Sequence, residues 1–346
     1  MKDTNKSGMD ALQALNLEAA RAGDQDAFEQ LTEPYRHELV VHCYRILGSF
    51  EDAEDMLQET LVRAWQHLDS FEGRSSLRAW FYKIATNACL DALDTRKRRG
   101  LSKELYPRGD PAAPLPPASK EVIWVEPFPD ELIDRQPAIY PEAHYEVRES
   151  IMLAFVAALQ KLPGRQRAVL LLCDVLGWNA AEAAGILDMT TAAANSALQR
   201  ARESLKQSDR TTSPTPARLN EQLSSLLTRY VAAWEAADSA ALVAVLREDV
   251  ALTMPPFPVW FSGRTDIRTF LDGYLFRIFN PFRVKLIQVH ANGSPAFAVY
   301  QMDGNGVYRA AAIHILTFKN GGISEINDFL TSDGSLFSQF GLPLVA

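Results

Sequence analysis

Phe71–Gly100 reads FEGRSSLRAWFYKIATNACLDALDTRKRRG, and the rest of the chain is read outward from it. It opens on a polar loop, Glu72-Gly73-Arg74-Ser75-Ser76. A hydroxyl at Ser75 or Ser76 caps a helix by accepting from its unpaired first-turn N–H groups. Leu77, Trp80, Phe81, Ile84 and Ala88 recur at i, i+3, i+4 and i+7 spacing and mark one core-facing stripe. Arg78, Lys83, Asn87 and Asp91 lie off that stripe. Arg96, Lys97, Arg98 and Arg99 end the helix, with Gly100 expected as its C-cap. A polar loop, aromatic rings, an amide and a cationic tail on one rod suit a nucleic-acid strand with unstacked bases. The same pattern also suits a plain amphipathic helix with a solvated basic end, so the flanking sequence has to decide.

The chain as a whole sets bounds. At 346 residues two or three domains are expected, and 47% apolar with 23% charged residues is ordinary for globular protein. A net charge of −8 excludes a protein that coats DNA unaided, because non-specific affinity comes from cations on phosphates. Any nucleic-acid contact is therefore local or shared with a larger basic partner. Cys43, Cys89 and Cys173 have no metal or redox spacing and read as small buried groups in a reducing compartment. No His-Glu-x-x-His or Cys/His cluster is present, so neither a metal nor a cofactor is expected. The N-terminal MKDTNKSGMD lacks an apolar core, and no apolar run approaches the ~20 residues of a membrane span. The expectation is a cytoplasmic protein without membrane contact.

Upstream, Ala11–Arg21 reads as a short helix stopped near Gly23. Asp24 or Asp26 caps the next, which carries Phe28, Leu31, Tyr35, Leu39, Cys43 and Ile46 inward, with Pro34 as a candidate kink. Ser49 then caps a helix whose Ala53, Met56, Leu57, Leu61, Ala64 and Trp65 form a clean stripe. Glu51, Asp52, Glu54, Asp55 and Glu59 are acidic with no base among them. Acids favour a helix N-terminus on their own account. They also make a docking face for a basic partner, and Asp55, Gln58, Glu59 and Val62 lie opposite the core.

The order DAEDMLQETLVRAW, then FEGRSSLRAWFYKIATNACLD, then a basic tail resembles the second conserved region of bacterial sigma factors. The nearest likeness is to the extracytoplasmic-function (ECF) group of the sigma-70 family, over about Leu15–Arg99. The resemblance implies that the acidic helix, with Asp55, Gln58, Glu59 and Val62, binds the β′ coiled coil of core RNA polymerase. It also implies that the following loop and helix recognise and melt the minus-ten promoter element. Phe71, Gly73, Arg74, Ser75 and Ser76 would then capture an extruded base. Lys83 and Asn87 would flank the separated strand, Arg96, Lys97, Arg98 and Arg99 would hold the duplex edge, and Trp80 would belong to the core.

After Gly100 the composition shifts. Nine prolines from Pro107 to Pro141 exclude a regular helix or central strand, so residues 100–144 read as an extended linker. Trp124 and Phe128 within it are larger than a solvated tether needs, and they are expected to dock on a neighbouring domain or on polymerase. Tyr145–Leu162 then reads as a helix, and another begins near Arg165. A helix Ala180–Leu187, a turn at Asp188-Met189-Thr190 and a helix Thr191–Lys206 make a helix-turn-helix. Thr191, Asn195, Ser196, Gln199, Arg200 and Arg202 are placed to reach DNA, Asn and Gln suiting adenine and Arg suiting guanine or phosphate. LPGRQRAVLLLCDVLGW followed by these helices resembles the fourth conserved region of sigma factors, which reads the minus-thirty-five element. That family also contacts the polymerase β flap. The residues Ala192, Ala193 and Ala194 are smaller than the family's usual choice at this point.

TTSPTPA forms a second linker within 209–217. Residues 218–346 then give a helix, a helix capped by Asp238, a strand Val250–Met254, and a helix capped by Thr265 and running to Phe276. Strands Arg283–His290, Ala296–Met302, Val307–Phe318 and Ile323–Leu330 follow, joined by Gly-rich hairpin turns. This order and the GRTDI segment are similar to SnoaL-like members of the NTF2-like superfamily. The expected architecture is therefore multidomain: two all-α domains, the second a helix-turn-helix, then an α+β cone with a curved antiparallel sheet. Pocket candidates are Tyr230, Trp234, Trp260, Tyr274, His314 and Asp328. Asp328 with His314 or Tyr274 could be cast as a proton-transfer pair, or all three could be structural. The expectation is a non-enzymatic sigma factor regulated by its own C-terminal domain through intramolecular contacts, with or without a small-molecule ligand. The alternatives are a stand-alone ligand-sensing promoter-binding regulator and an isomerase- or hydrolase-like domain fused to a DNA-binding module.

Overall fold

The computed structural model describes residues 2–95, 98–134, 149–208, 221–279 and 281–346. Arg96 and Lys97, residues 135–148 with the start of the helix expected from Tyr145, and residues 209–220 with the TTSPTPA stretch lie outside the described residues. The chain forms two units, one containing residues up to Arg98 and Leu159–Gln207, the other Arg99–Asp134, residues up to Ala158, and Ser208–Ala346.

The first unit is helical. Helix α1 spans Lys2–Arg21, longer than the Ala11 start expected, and α2 spans Gln25–Leu47, running through Pro34. Asp24 caps α2 by accepting from Ala27 N–H at 3.1 Å, and Gly48 ends it with φ +71°, a value glycine adopts freely. Ser49 caps α3, Phe50–Gln66, and Ser76 accepts from Ala79 N–H at the start of α4, Leu77–Thr95. Helices α2, α3 and α4 pack mutually around Tyr44, Ala53, Leu57, Leu61, Phe81 and Ala85. Gly100, expected as the cap of α4, forms an isolated parallel bridge with Trp124. Cys43 and Cys89 are buried and Cys173 is half-buried.

His42 sits in this core with Nε2 2.9 Å from Thr86 Oγ1. The Thr86 hydroxyl donates to Tyr82 O at 2.6 Å, so it accepts from His42. Burial, with Arg45 and Arg78 adding repulsion, pushes the His42 imidazole down to about 3. The unfolded chain binds a proton near pH 6.5 that the folded chain refuses. Stability is therefore fully present above that value and falls as pH drops toward 3. At pH 5 the expected loss is about 2 kcal/mol. Thermal unfolding of the parent and of His42→Gln between pH 7 and pH 4 checks this; the variant's profile should be flatter.

Helices α5 (Leu153–Gln160), α6 (Gly164–Leu170), α7 (Ala180–Ile186) and α8 (Thr191–Ser208) follow. Asn179 and Glu182 form a capping box on α7, and Thr190 caps α8 by accepting from Ala193 N–H. Asp188 makes the tight turn between them at φ +49°, which a short polar side chain tolerates.

In the second unit, α9 (Glu221–Glu235) and α10 (Ser239–Val245, capped by Asp238) lead into a six-stranded sheet ordered β2-β1-β6-β5-β4-β3. The strands are β1 Leu246–Thr253, β2 Trp260–Ser262, β3 Val284–Ala291, β4 Ser294–Met302, β5 Tyr308–Lys319 and β6 Gly322–Leu330. The meander β3 to β6 is antiparallel as expected, but β1 pairs with β6 in parallel. The sheet is thus mixed, because α9 and α10 bring the chain onto the sheet in the direction of β6. The short strand β2 is too brief for its two-residue period to show in the sequence. Helix α11, Arg264–Phe270, starts at Gly263 (φ +88°) with no side-chain cap, so Thr265 does not cap it. It continues as a wider π turn over Leu271–Leu275. Tyr230, Trp234, Leu242, Phe261, Phe270, Leu316 and Ile326 fill the core between helices and sheet.

Candidate polymerase and nucleic-acid interfaces

On the first unit, Asp55, Gln58, Glu59 and Val62 share one side of α3, as their spacing requires. With Met56, Arg63, Ala88, Asp91 and Ala92 they line a groove of about 480 Å³ between α3 and α4. Arg63 binds Glu59 at 2.7 Å and Asp91 at 3.0 Å, while Val62 is 51% exposed at the edge. Val62 thus leaves an apolar side chain in water beside Asp55 and the Arg63-bridged Glu59, a composition that suits a docking surface.

The loop Glu72–Ser76 and α4 line a second groove of about 860 Å³. Gly73 takes φ +70°, which bends the loop, and Arg74 is 85% exposed beside Glu72. Phe71 is buried against Trp80, ring centroids 5.4 Å apart. Trp80 is half-buried and lines the groove, so it is both a core residue and part of the wall. Lys83 reaches Asp188 at 2.6 Å, and Asn87 is half-buried. Arg99 is spent on Glu126 at 3.3 Å and its side chain is only 12% exposed, so it does not extend a cationic tail as expected.

A residue not foreseen is Arg78. Its guanidinium forks onto Glu38 at 2.8–3.1 Å, lies 4.9 Å over the Tyr82 ring and is 5.5 Å from the Trp178 ring. Its position off the apolar stripe was the available signal; Glu38 lies 40 residues away and could not be paired with it by spacing.

On α8, Thr191, Asn195, Ser196, Gln199 and Arg200 are exposed, while Ala194, Ala197, Leu198 and Ala201 face inward. Arg202 forks onto Asp174 at 2.6 and 2.9 Å, and Gln199 donates to Glu203 at 3.1 Å. Five of the six expected residues therefore present a polar face, and Arg202 is held by its own domain.

Region 99–134 is built into the second unit. Val125 N–H donates to Gly100 O and Gly100 N–H to Ile123 O, each at 3.0 Å, Lys103 pairs with Glu325 on β6, and Arg108 binds Asp266 at 2.6 Å. Trp260 Nε1 donates to Tyr106 O at 3.0 Å. Farther on, Phe128 is fully buried, and its backbone N–H and C=O bond Asn292 at 2.8 and 3.0 Å. Asn292 and Gly293 form the β3–β4 turn with φ +53° and +68°, and Asn292 Nδ2 donates to Ile151 O at 2.7 Å. Asp130 accepts from Gly293 N–H at 2.9 Å. The docking expected of Phe128 falls on the C-terminal domain, whereas Trp124 is buried with its backbone bridged to Gly100.

The pocket candidates divide. Tyr230 Oη lies 2.9 Å from His314 Nδ1, and His314 Nε2 lies 3.3 Å from Asp328 Oδ1, with Trp234 packed on His314 at 5.0 Å. Burial, then the Asp328 charge, raises the Tyr230 phenol well above its ordinary range, so it donates to Nδ1 and leaves Nε2–H facing Asp328. Trp260 is engaged by Tyr106, and Tyr274 stacks on Phe270 at 5.7 Å. These two do not join the Tyr230–His314–Asp328 chain.

Together, an acidic helix groove, a groove lined by a polar loop and its following helix, and a helix-turn-helix define the class of a promoter-directing transcription factor carrying an extra α+β domain. Sequence profiles of sigma-70 region 2, sigma-70 region 4 and a SnoaL-like domain match residues 31–99, 152–205 and 227–326. The chain is 44% identical over 329 residues to the ECF RNA polymerase sigma factor SigG of Mycobacterium tuberculosis, covering 93% of this chain and 85% of that protein. It is 25% identical over 190 residues to the ECF sigma factor SigW of Bacillus subtilis, covering 55% of this chain and 92% of that one. The crystal structure of the M. tuberculosis ECF sigma factor SigJ superposes with a TM-score of 0.56 at 21% identity, covering 91% of this chain and 99% of that one, which is a likeness of fold. The chain belongs to the ECF sigma factor family and carries a C-terminal SnoaL-like domain.

Proposed function

We propose that this sigma factor binds core RNA polymerase through the α3 groove, captures the minus-ten strand with the Phe71–Ser76 loop, Lys83 and Asn87, and reads the minus-thirty-five element with Thr191, Asn195, Ser196, Gln199 and Arg200. The observation that carries the polymerase assignment is the α3 groove, where exposed Val62 stands beside Asp55 and Glu59. Among the described residues no helix is long and apolar enough to cross a membrane, consistent with work beside the chromosome in the cytoplasm. With a net charge of −8, much of the phosphate affinity falls to the polymerase.

The SnoaL-like domain acts as a regulator in this reading. It holds the segment between the two promoter-reading regions by Phe128, Asn292, Arg108 and Lys103, so release of that segment sets the supply of active sigma factor. Tyr230 and His314 are buried in the core, which supports a structural role for their chain rather than turnover. The test is initiation from promoter DNA by core RNA polymerase with the full chain added. Asp55→Lys, at an exposed position, is expected to weaken binding to core polymerase at least ~10-fold, or about 1.4 kcal/mol, with the helix content unchanged. Equal binding would remove the groove from the assignment, and absence of initiation from every promoter tried would overturn the sigma factor activity.

A further inference from the structure

The first two turns of α8 read TAAANSAL and carry no ionisable side chain. Thr190 caps this helix by accepting from Ala193 N–H at 3.1 Å, which fixes where it begins. Ala194, Ala197, Leu198 and Ala201 are buried, and Ala193 is half-buried. Thr191, Ala192, Asn195, Ser196 and Gln199 are left exposed, as neighbours three and four apart on one face. Residues near the N-terminus of a recognition helix are the ones that reach base edges. The cations of α8 stand farther along. Arg200 lies about two turns beyond Ala192, and Arg202 is forked onto Asp174 at 2.6 and 2.9 Å.

The commonest contact to guanine is an Arg or Lys forked onto O6 and N7, and these two turns hold neither residue. What they do present is a methyl group. The major groove offers it one matching feature, the C5 methyl of thymine, which the other three bases lack. Among the alanines at the start of α8, Ala192 is the exposed one. Its side chain ends at Cβ, so it touches a base edge only where the helix backbone lies deep in the groove. Thr191, Asn195 and Ser196 around it are short enough to allow that approach. We infer that Ala192 selects a thymine in the minus-thirty-five element by packing its methyl on the C5 methyl, with Asn195, one turn on, placed for a neighbouring base. The inference rests on the reading of the minus-thirty-five element by α8 and adds to it a residue and the base group that it recognises. A bare spacer at this position makes the opposite prediction, because it is indifferent to whether the base carries a methyl.

The experiment uses core RNA polymerase with the full chain. Promoters are first selected from random-sequence duplex DNA. Each thymine of the selected minus-thirty-five element, on either strand, is then replaced in turn by deoxyuridine, which deletes only the C5 methyl. At one position the parent holoenzyme is expected to lose about 3- to 5-fold in promoter affinity, the scale of one buried methyl group. In Ala192→Gly the difference between thymine and deoxyuridine at that position should shrink to less than about 1.5-fold, as a double-mutant cycle requires of two groups in contact. Ala192→Ser should lose the discrimination too, which guards against a helix end loosened by glycine. The deoxyuridine penalty should be equal at low and moderate salt while overall affinity falls, because a methyl contact releases no counterion. A scan that is flat across the element, an element selected without thymine, or a penalty that persists in both variants overturns the assignment. Selected promoters with no fixed bases in the minus-thirty-five stretch overturn the reading by α8 instead, and failure to select any promoter overturns the sigma factor reading, each taking this inference with it.

Discussion

Phe128→Ala is expected to free the segment around residues 124–130 from the C-terminal domain while the sheet stays folded. Phe128 is fully buried, and truncating such a ring costs about 3–5 kcal/mol in lost transfer energy and cavity formation. That loss falls locally, because the segment is held at separate points and the sheet has its own core of Tyr230, Phe297, Leu316 and Ile326. Asn292→Gly separates the polar part of the seat from the apolar part. Glycine keeps the turn at positive φ but deletes the side chain that accepts from Phe128 N–H and donates to Ile151 O. Each buried group left unpaired costs about 1–3 kcal/mol. Hydrogen exchange on the full chain checks both variants: amides near Val125 and Phe128 should lose protection, and those of β4 and β5 should keep it. In transcription, both should raise the active fraction if the SnoaL-like domain restrains the segment. Unchanged protection would mean that the seat is held elsewhere, by Arg108 or Lys103.

The second large effect is expected at Arg167. This guanidinium is 3% exposed and bonds Gln160 Oε1 at 2.7 Å, Gln160 O and Leu162 O at 3.1 Å, and Ile46 O. Burial pushes its pKa down to about 10, which still leaves it charged at neutral pH. It thus places a cation at the C-terminal end of α2, where exposed carbonyls favour one. Arg167→Met keeps the apolar stem and removes the fork. Hydrogen bonds to a charged group contribute about 1.5–3 kcal/mol each, and the carbonyls left behind are buried, so a loss of about 3 kcal/mol or more is expected. Arg167→Lys should recover little, because an ammonium cannot hold four acceptors in this fork. Thermal unfolding reports the loss. Gln160→Met, which touches only one side of the network, should show a smaller one.

Much of the site was legible one residue at a time. Helix caps at Asp24, Ser49 and Ser76 and the acidic face of α3 follow from local chemistry, because each involves partners within four residues or one helical turn. The meander strands and their Gly-containing turns were legible for the same reason. The parallel β1–β6 pairing was not, since nothing local to β1 specifies a partner more than 70 residues on. Nor was the partner of Arg78, nor the engagement of Arg202 by Asp174 across 28 residues. Trp260, read as a pocket residue, turned out to donate to Tyr106 O, 154 residues away. Side-chain type showed that these groups had to be satisfied without showing by what.

The sequence by itself determined the family, the order of the polymerase-binding and promoter-reading segments, and the presence of a SnoaL-like domain, because those rest on motif and period. Only the tertiary structure decided where the proline-rich segment goes and which group meets Lys83. Both depend on pairing between distant groups: Phe128 with Asn292, and Lys83 with Asp188. The prolines kept long helices and central strands out of the segment, which holds only the short helices Ser102–Leu105 and Glu131–Asp134 among its described residues, but could not say whether it was solvated or seated. Its seat is set by a buried ring and a turn amide 164 residues apart in the chain.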